Sequence, residues 1–221
     1  MEPTPAATVV LARDAEDGLE VLMLRRNSRG AFGGMWVFPG GKVDPEDVDP
    51  ANEDDEIATA RRAAVREAAE EAGLAVDAGS LVTFSHWLPP PQAPRRFSTW
   101  FFLAPAPMAR EVLVDGTEIH EHDWLRPADA LARRDAGEIE LAPPTWVTLW
   151  RLAAAGTVAD AVDNAVRREP ERFETHIVQA DGAPVALWHG DAGYENGDVE
   201  RPGPRHRLWM LRDGWRFEDS R

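Results

Sequence analysis

Three glutamates, at positions 67, 70 and 71, are the residues of this chain best spaced to do chemistry. In a helix of 3.6 residues per turn, positions i, i+3 and i+4 project within an arc of about 100°. Like charges so placed repel, which destabilises the helix unless a cation neutralises them. Carboxylate oxygens are hard ligands, suited to Mg²⁺ or Mn²⁺. Upstream, Trp36-Val37-Phe38-Pro39-Gly40-Gly41 reads as a strand running into a Pro-Gly-Gly turn. Glycine there is expected to take positive φ and to leave amides and carbonyls open to a ligand. By itself, an Ala/Glu/Arg-rich helix is an ordinary solvated face, with Arg66 and Glu70 as an i,i+4 ion pair. The glycine turn before it and Gly73 after it set this helix apart.

Together these residues resemble the box of the Nudix hydrolases, G-x5-E-x7-R-E-U-x-E-E-x-G-U, where U is a bulky apolar residue. Gly41 falls on the first position, Arg66-Glu67 and Glu70-Glu71 on the charged centre, and Gly73-Leu74 on the end. The chain departs from the pattern in three places. It carries an insertion at about 44–56, and Asp47, with Glu46 beside it, stands at the first acidic position. That shorter acid is expected to pair with Arg66. Ala68 stands where a larger apolar residue belongs, which weakens local packing without touching the ligands.

Leu24-Arg25-Arg26-Asn27-Ser28 followed by Trp36–Gly41 is similar to the coenzyme A diphosphatase branch of that family, closest in pattern to its peroxisomal acyl-CoA-cleaving type. The resemblance implies an α/β/α sandwich with a mixed central sheet. It implies a metal site for Mg²⁺ or Mn²⁺ made by the Gly40 carbonyl, Glu67, Glu70 and Glu71, with Arg66 in the catalytic apparatus. A carboxylate before a Trp-bearing strand often completes such sites; Glu118, six residues before Trp124, is preferred by spacing over Glu121, three before it. Glu67 and Glu118 both remain candidates for the general base. The implied reaction is hydrolysis of the diphosphate bond in a nucleoside diphosphate linked to another moiety, with CoA or acyl-CoA leading. ADP-ribose, NADH, a nucleotide sugar or a nucleoside triphosphate is the alternative substrate, and a non-catalytic nucleotide sensor the alternative role.

The elements that must position these residues follow from pattern. Ala6–Ala12 reads as a buried strand, joined by a turn at Asp14–Gly18 to a central strand over Leu19–Arg25. The basic loop beyond it offers Arg25, Arg26 and Arg29, which either contact substrate phosphates or form a solvated loop. The alanine-rich helix spans Glu56–Ala72, with Gly73 as its stop. Further strands are expected over Leu81–Leu88 and Arg96–Ala104, and a short helix around Ala128–Arg133. His86, at a strand end, reads as a packed or solvated imidazole. Trp146, Leu149, Trp150 and Leu152 form a helical stripe that reads as core, and Thr157 suits the N-cap of a following helix. Asp181-Gly182 and Asp213-Gly214 signal two hairpins. Between those hairpins Arg201–Arg207 is a basic loop, and its Arg205 is a candidate for substrate binding.

Length and composition bound the rest. A chain of 221 residues suits one domain with an elaboration: residues 1–165 as the Nudix domain, and 166–221 as a β-rich extension packed on it. A net charge of −15 argues against a nucleic-acid partner. A small polyanionic diphosphate can still bind where metal ions and local arginines reverse the field. The absence of cysteine excludes disulfides, zinc–thiolate sites and a thiol nucleophile, and fits a reducing cytoplasm. The Met1–Pro5 segment shows no secretory signal, and no run approaches the ~20 apolar residues of a membrane span. A soluble protein without a membrane partner is expected, and a homodimer is admitted.

Overall fold

Strands β1 (Thr4–Ala15) and β2 (Gly18–Arg26) form a hairpin closed by two residues, with Ala15 opposite Gly18. Both strands run beyond the sequence expectation because the turn is this tight, and Gly18 at φ +116° makes it so. Apolar residues occupy both faces of β1. Ala7, Val9 and Leu11 enter one core, while Val10 and Ala12 enter another. Such two-sided burial marks a central strand.

The computed structural model describes residues 2–27, 33–107, 111–114 and 116–221. Its main sheet adds β3 (Trp36–Val37), β4 (Gly40–Lys42), β5 (Val82–Leu88), β6 (Phe97–Pro105), β7 (Ile119–Leu125) and β8 (Glu171–Glu174). The order is β3-β2-β1-β6-β5-β8, with β4 on β1 and β7 on β2. The sheet is mixed: β1 runs parallel to β6 and β5 parallel to β8, while the other pairings are antiparallel.

Helix α1 (Glu56–Ala72) covers one face of this sheet through a stripe of buried alanines at 60, 63, 64, 68 and 72. Their small side chains leave room for Leu22, Leu24, Trp100 and Phe102 from the sheet, so Ala68 is fully buried in a packed core. The other face carries α2 (Pro127–Asp135), α3 (Pro143–Leu152) and α4 (Val158–Val166), giving an α/β/α sandwich. Thr157 caps α4 by accepting the Asp160 N–H. The α3 stripe departs from expectation at one position: Trp150 turns outward, 43% exposed, edge-on to Phe217.

A second, antiparallel sheet follows, ordered β12 (Gly214–Asp219), β11 (His206–Leu211), β10 (Ala183–Leu187), β9 (His176–Ala180). Both Asp-Gly hairpins are present, each closed by a two-residue turn. Ala186, Trp188, Leu208 and Phe217 pack this sheet into the core of α3 and α4, on the side of the main sheet away from α1. Strand β8, which sequence pattern does not announce, extends the main sheet. Its Phe173 stacks on Trp87 and meets Trp188 edge-on.

Candidate functional site

Asp55 starts α1 by accepting the Ala58 N–H at 2.8 Å. Gly73, at φ +67°, ends it, with Gly73 and Leu74 donating to the last carbonyls. One side of the helix is alanine and buried, so Arg66, Glu67, Glu70 and Glu71 fall along its other side, near β4. Arg66 is the hub. It forks onto Asp47, with Nε at 3.2 Å and Nη2 at 2.9 Å, and Nη2 also reaches the Lys42 carbonyl at 2.9 Å. Its Nη1 donates to Glu67 at 3.0 Å and Glu70 at 2.9 Å. Asp47 is buried, and its hydrogen bond with the charge of Glu67 holds the guanidinium further above its ordinary range. The shorter acid at position 47 therefore does pair with Arg66. It reaches because the segment folds into a single turn over Pro45–Asp47, closed by the Asp44 N–H donating to Asp47 Oδ2.

Gly40 and Gly41 lie on β4, opposite Thr8 and Ala7. Neither takes positive φ, so the expected reason for glycine is corrected. What matters is the missing Cβ. A Cβ on Gly40 would strike the Ala7 carbonyl and the Thr8 backbone, and one on Gly41 would strike the Glu67 carboxylate. Glu67 thus sits directly against Gly41. Glu71 accepts the Gly40 N–H at 2.9 Å, so Gly40 meets the carboxylates through its amide.

Burial acts strongly on these acids. Glu71 is 5% exposed, and desolvation pushes its carboxyl up to about 7. The Gly40 amide and Arg26 oppose that rise, while Glu67 and Glu118 add to it. Glu67 is also raised by burial, against the pull of Arg66.

Glu118 arrives from the segment before β7. In the pairing of β7 with β2, Arg25 faces Glu121 but Arg26 faces Ile119, so His120 is an extra, bulged residue. The bulge returns Ile119 to the α1 core, fully buried. Glu118 pairs with Arg26 at 2.5 Å, and the other arm of Arg26 lies 3.7 Å from Glu71. Asn27 fixes the segment, its N–H donating to the Glu118 carbonyl at 2.8 Å and its side chain to the Thr117 carbonyl at 2.7 Å. Sequence reasoning gave Asn27 no role. An Asn in a loop signals a backbone-seeking amide, but not a target ninety positions away.

The structure thus gathers Gly40, Arg66, Glu67, Glu71, Arg26 and Glu118, with Glu70 on the outer flank against Arg66. As placed, no three of the described His, Asp and Glu side chains enclose an ion position. Arg26 and Arg66 stand between the acids instead. Arg25 pairs with Glu121 at 2.7 Å and shares the sheet face of Val21 and Met23, away from α1. Arg205 is not brought to the cluster. It donates to the Arg201 carbonyl and to nothing at the carboxylates, on the sheet that packs behind the opposite core. Its neighbour Arg207 is buried in a fork with Asp191 at 2.6 and 2.7 Å, which removes it from any phosphate clamp. Arg29 lies outside the described residues. His86 packs on Trp100 and contacts Ser98 at 2.7 Å, with burial lowering its basicity. A cavity of about 210 Å³ beside Trp100, Thr59 and Glu56 lies at the start of α1, eleven helical residues or about 16 Å from Glu67.

Residues 2–145 match the family profile described as NUDIX domain. A Caenorhabditis elegans relative, provisionally named nudix hydrolase 7, is 28% identical over 184 residues, which cover 67% of this chain. The chain spans about 60% of the length of that relative. Among solved structures, a NUDIX hydrolase from Alicyclobacillus acidocaldarius superposes with a TM-score of 0.67 at 27% identity, covering 74% of this chain and 96% of its own. The NUDIX domain of Shewanella oneidensis NrtR, solved with ADP ribose, shares the fold at a TM-score of 0.51 and 18% identity, covering 68% and 86%.

Proposed function

Because the chain belongs to the NUDIX family, we propose that it hydrolyses the diphosphate bond of a nucleoside diphosphate joined to another group, with CoA or acyl-CoA as the leading substrate. The observation that carries this reading is the packing of Glu67 and Glu71 against Gly41 and Gly40, with Glu118 facing them across Arg26. A diphosphate resists attack because its oxygens repel a nucleophile. Cations and fixed donors remove that repulsion.

The donor set fits Mg²⁺ or Mn²⁺: hard carboxylate oxygens, among them a buried one on Glu71 that burial holds toward its acid form. Glu71, Glu67 and Glu70 would hold the ion, with the Gly40 carbonyl as the further ligand. When bound, it would neutralise phosphoryl oxygens and acidify a water. The chain's own residues do the rest. Asp47 fixes Arg66, and Arg66 fixes Glu67 and Glu70. The Gly40 amide aims Glu71. Glu67 and Glu118 are the two candidates to take a proton from water. Arg26, between Glu71 and Glu118, is the candidate to meet a phosphoryl oxygen.

Within the class, CoA is favoured by the Leu24–Ser28 and Trp36–Gly41 segments. The test is a panel of CoA, acyl-CoA, ADP-ribose, NADH and nucleoside triphosphates with Mg²⁺ or Mn²⁺, products identified by mass. Phosphopantetheine and adenosine 3′,5′-bisphosphate from CoA are expected. Cleavage of triphosphates alone would overturn the CoA assignment, and tight nucleotide binding without turnover would overturn hydrolysis.

A further inference from the structure

Arg26 occupies an unusual place for a substrate-facing arginine. It comes from the end of β2, between Glu71 on α1 and Glu118 before β7, 3.7 Å from one and 2.5 Å from the other. Its side chain is 23% exposed, Glu71's only 7%, so the guanidinium lies over a buried carboxylate at the mouth of the cluster. Arg26 and the Gly40 amide together offset the repulsion that Glu67 and Glu118 exert on Glu71.

We propose that Arg26 is a placeholder cation: it holds Glu71 and Glu118 in register until a divalent ion displaces it, and the displaced guanidinium then serves the substrate's diphosphate. This rests on the metal-dependent reading above. A fork of rigid donors suits both tasks, since it matches carboxylate and phosphate oxygens alike. Arg26 and the metal therefore compete for Glu71, and a variant lacking the guanidinium binds metal more tightly but substrate more weakly. A merely structural arginine would weaken both or neither. Arg25 supplies an internal control, because it carries the same charge one position away but is paired with Glu121 on the opposite face.

The test is a Mn²⁺ titration of the metal-stripped full chain, read by the paramagnetic resonance of free Mn²⁺, for wild type, R26Q, R26K and R25Q. Circular dichroism checks folding in each. R26Q should bind Mn²⁺ about five- to tenfold more tightly than wild type, and R25Q within about twofold of it. R26K keeps the charge but not the fork and should fall between wild type and R26Q. With the diphosphate substrate, R26Q should raise KM about tenfold. Equal or weaker Mn²⁺ binding by folded R26Q overturns the placeholder while leaving the metal reading intact. If R26Q does not fold, wild-type affinity in R26K overturns it. Wild-type protein that takes up no Mn²⁺ overturns the metal reading, and this inference with it.

Discussion

Replacing Glu71 by Gln should make the metal-free protein more stable while abolishing turnover. Glu71 is almost fully buried, and burial moves its carboxyl from an ordinary 4.5 to about 7. A shift of that size is worth about 3 kcal/mol between the two protonation states. The sign follows from proton uptake. Between pH 4.5 and 7 the folded chain holds a proton that the unfolded chain has released. The stability from this group is therefore full below pH 4.5 and lost as pH rises through 7. Gln keeps the shape and can still accept the Gly40 N–H, but carries no charge to desolvate. After EDTA treatment, Glu71→Gln should match wild type near pH 5 and exceed it by about 2–3 kcal/mol at pH 8, once the lost contact with Arg26 is allowed for. In a chain of this size that is about 5–10 °C in Tm. Thermal melts of both proteins from pH 4.5 to 8.5 are the assay. Taking their difference removes the self-repulsion of a chain with net charge −15. Added Mg²⁺ or Mn²⁺ should stabilise wild type selectively. A difference that does not change with pH, or wild type the more stable at pH 8, would refute the reasoning.

The two glycines of β4 should respond differently to alanine. In Gly41→Ala the obstacle is the end of the flexible Glu67 side chain, so Tm should move by no more than about 3 °C while kcat falls at least tenfold or so; in Gly40→Ala the obstacle is backbone, and melts should show a loss of about 2–3 kcal/mol. Asp47→Asn breaks the buried partner of Arg66 and should cost about 2–3 kcal/mol by denaturant unfolding, with kcat falling because Glu67 and Glu70 lose their anchor. Glu118→Gln should lower kcat at least about tenfold, whereas Glu121→Gln, which pairs with Arg25 on the other face, should stay within about twofold; equal effects would contradict the assignment of Glu118 rather than Glu121 to the site.

Much of the candidate site is legible in the sequence because it is local. Glu67, Glu70 and Glu71 share one helix, so helical periodicity places them together before any fold is known. Gly73 declares the stop in the same way, and the near-continuous apolar runs of β1 and β2 declare a sheet buried on both faces. What is not legible depends on distant pairing. Whether Glu118 or Glu121 faces the helix turns on the register of β7 against β2, which sets Glu121 opposite Arg25 and has no compositional mark. The adjacent arginines Arg25 and Arg26 look equivalent in sequence, but strand alternation sends them to opposite faces. The basic loop at 201–207 misleads for a related reason. Its charge reads as anion-seeking, yet Arg207 is spent on the buried Asp191, and Arg205 stays with the second sheet. The glycines at 40 and 41 are read from sequence as sites of positive φ with backbone open to a ligand, whereas crowding rather than φ requires them.

On the proposed reading, the acids packed on Gly40-Gly41 hold divalent cations against a bridging diphosphate. Crystals grown with Mn²⁺ and a non-hydrolysable diphosphate analogue, measured at the manganese absorption edge, test it most directly. Anomalous peaks are expected within coordination distance of Glu71 and Glu67, with Arg26 turned from Glu71 toward the analogue. Manganese bound elsewhere, or Glu71 still paired to Arg26 beneath a bound analogue with no metal between them, would contradict it.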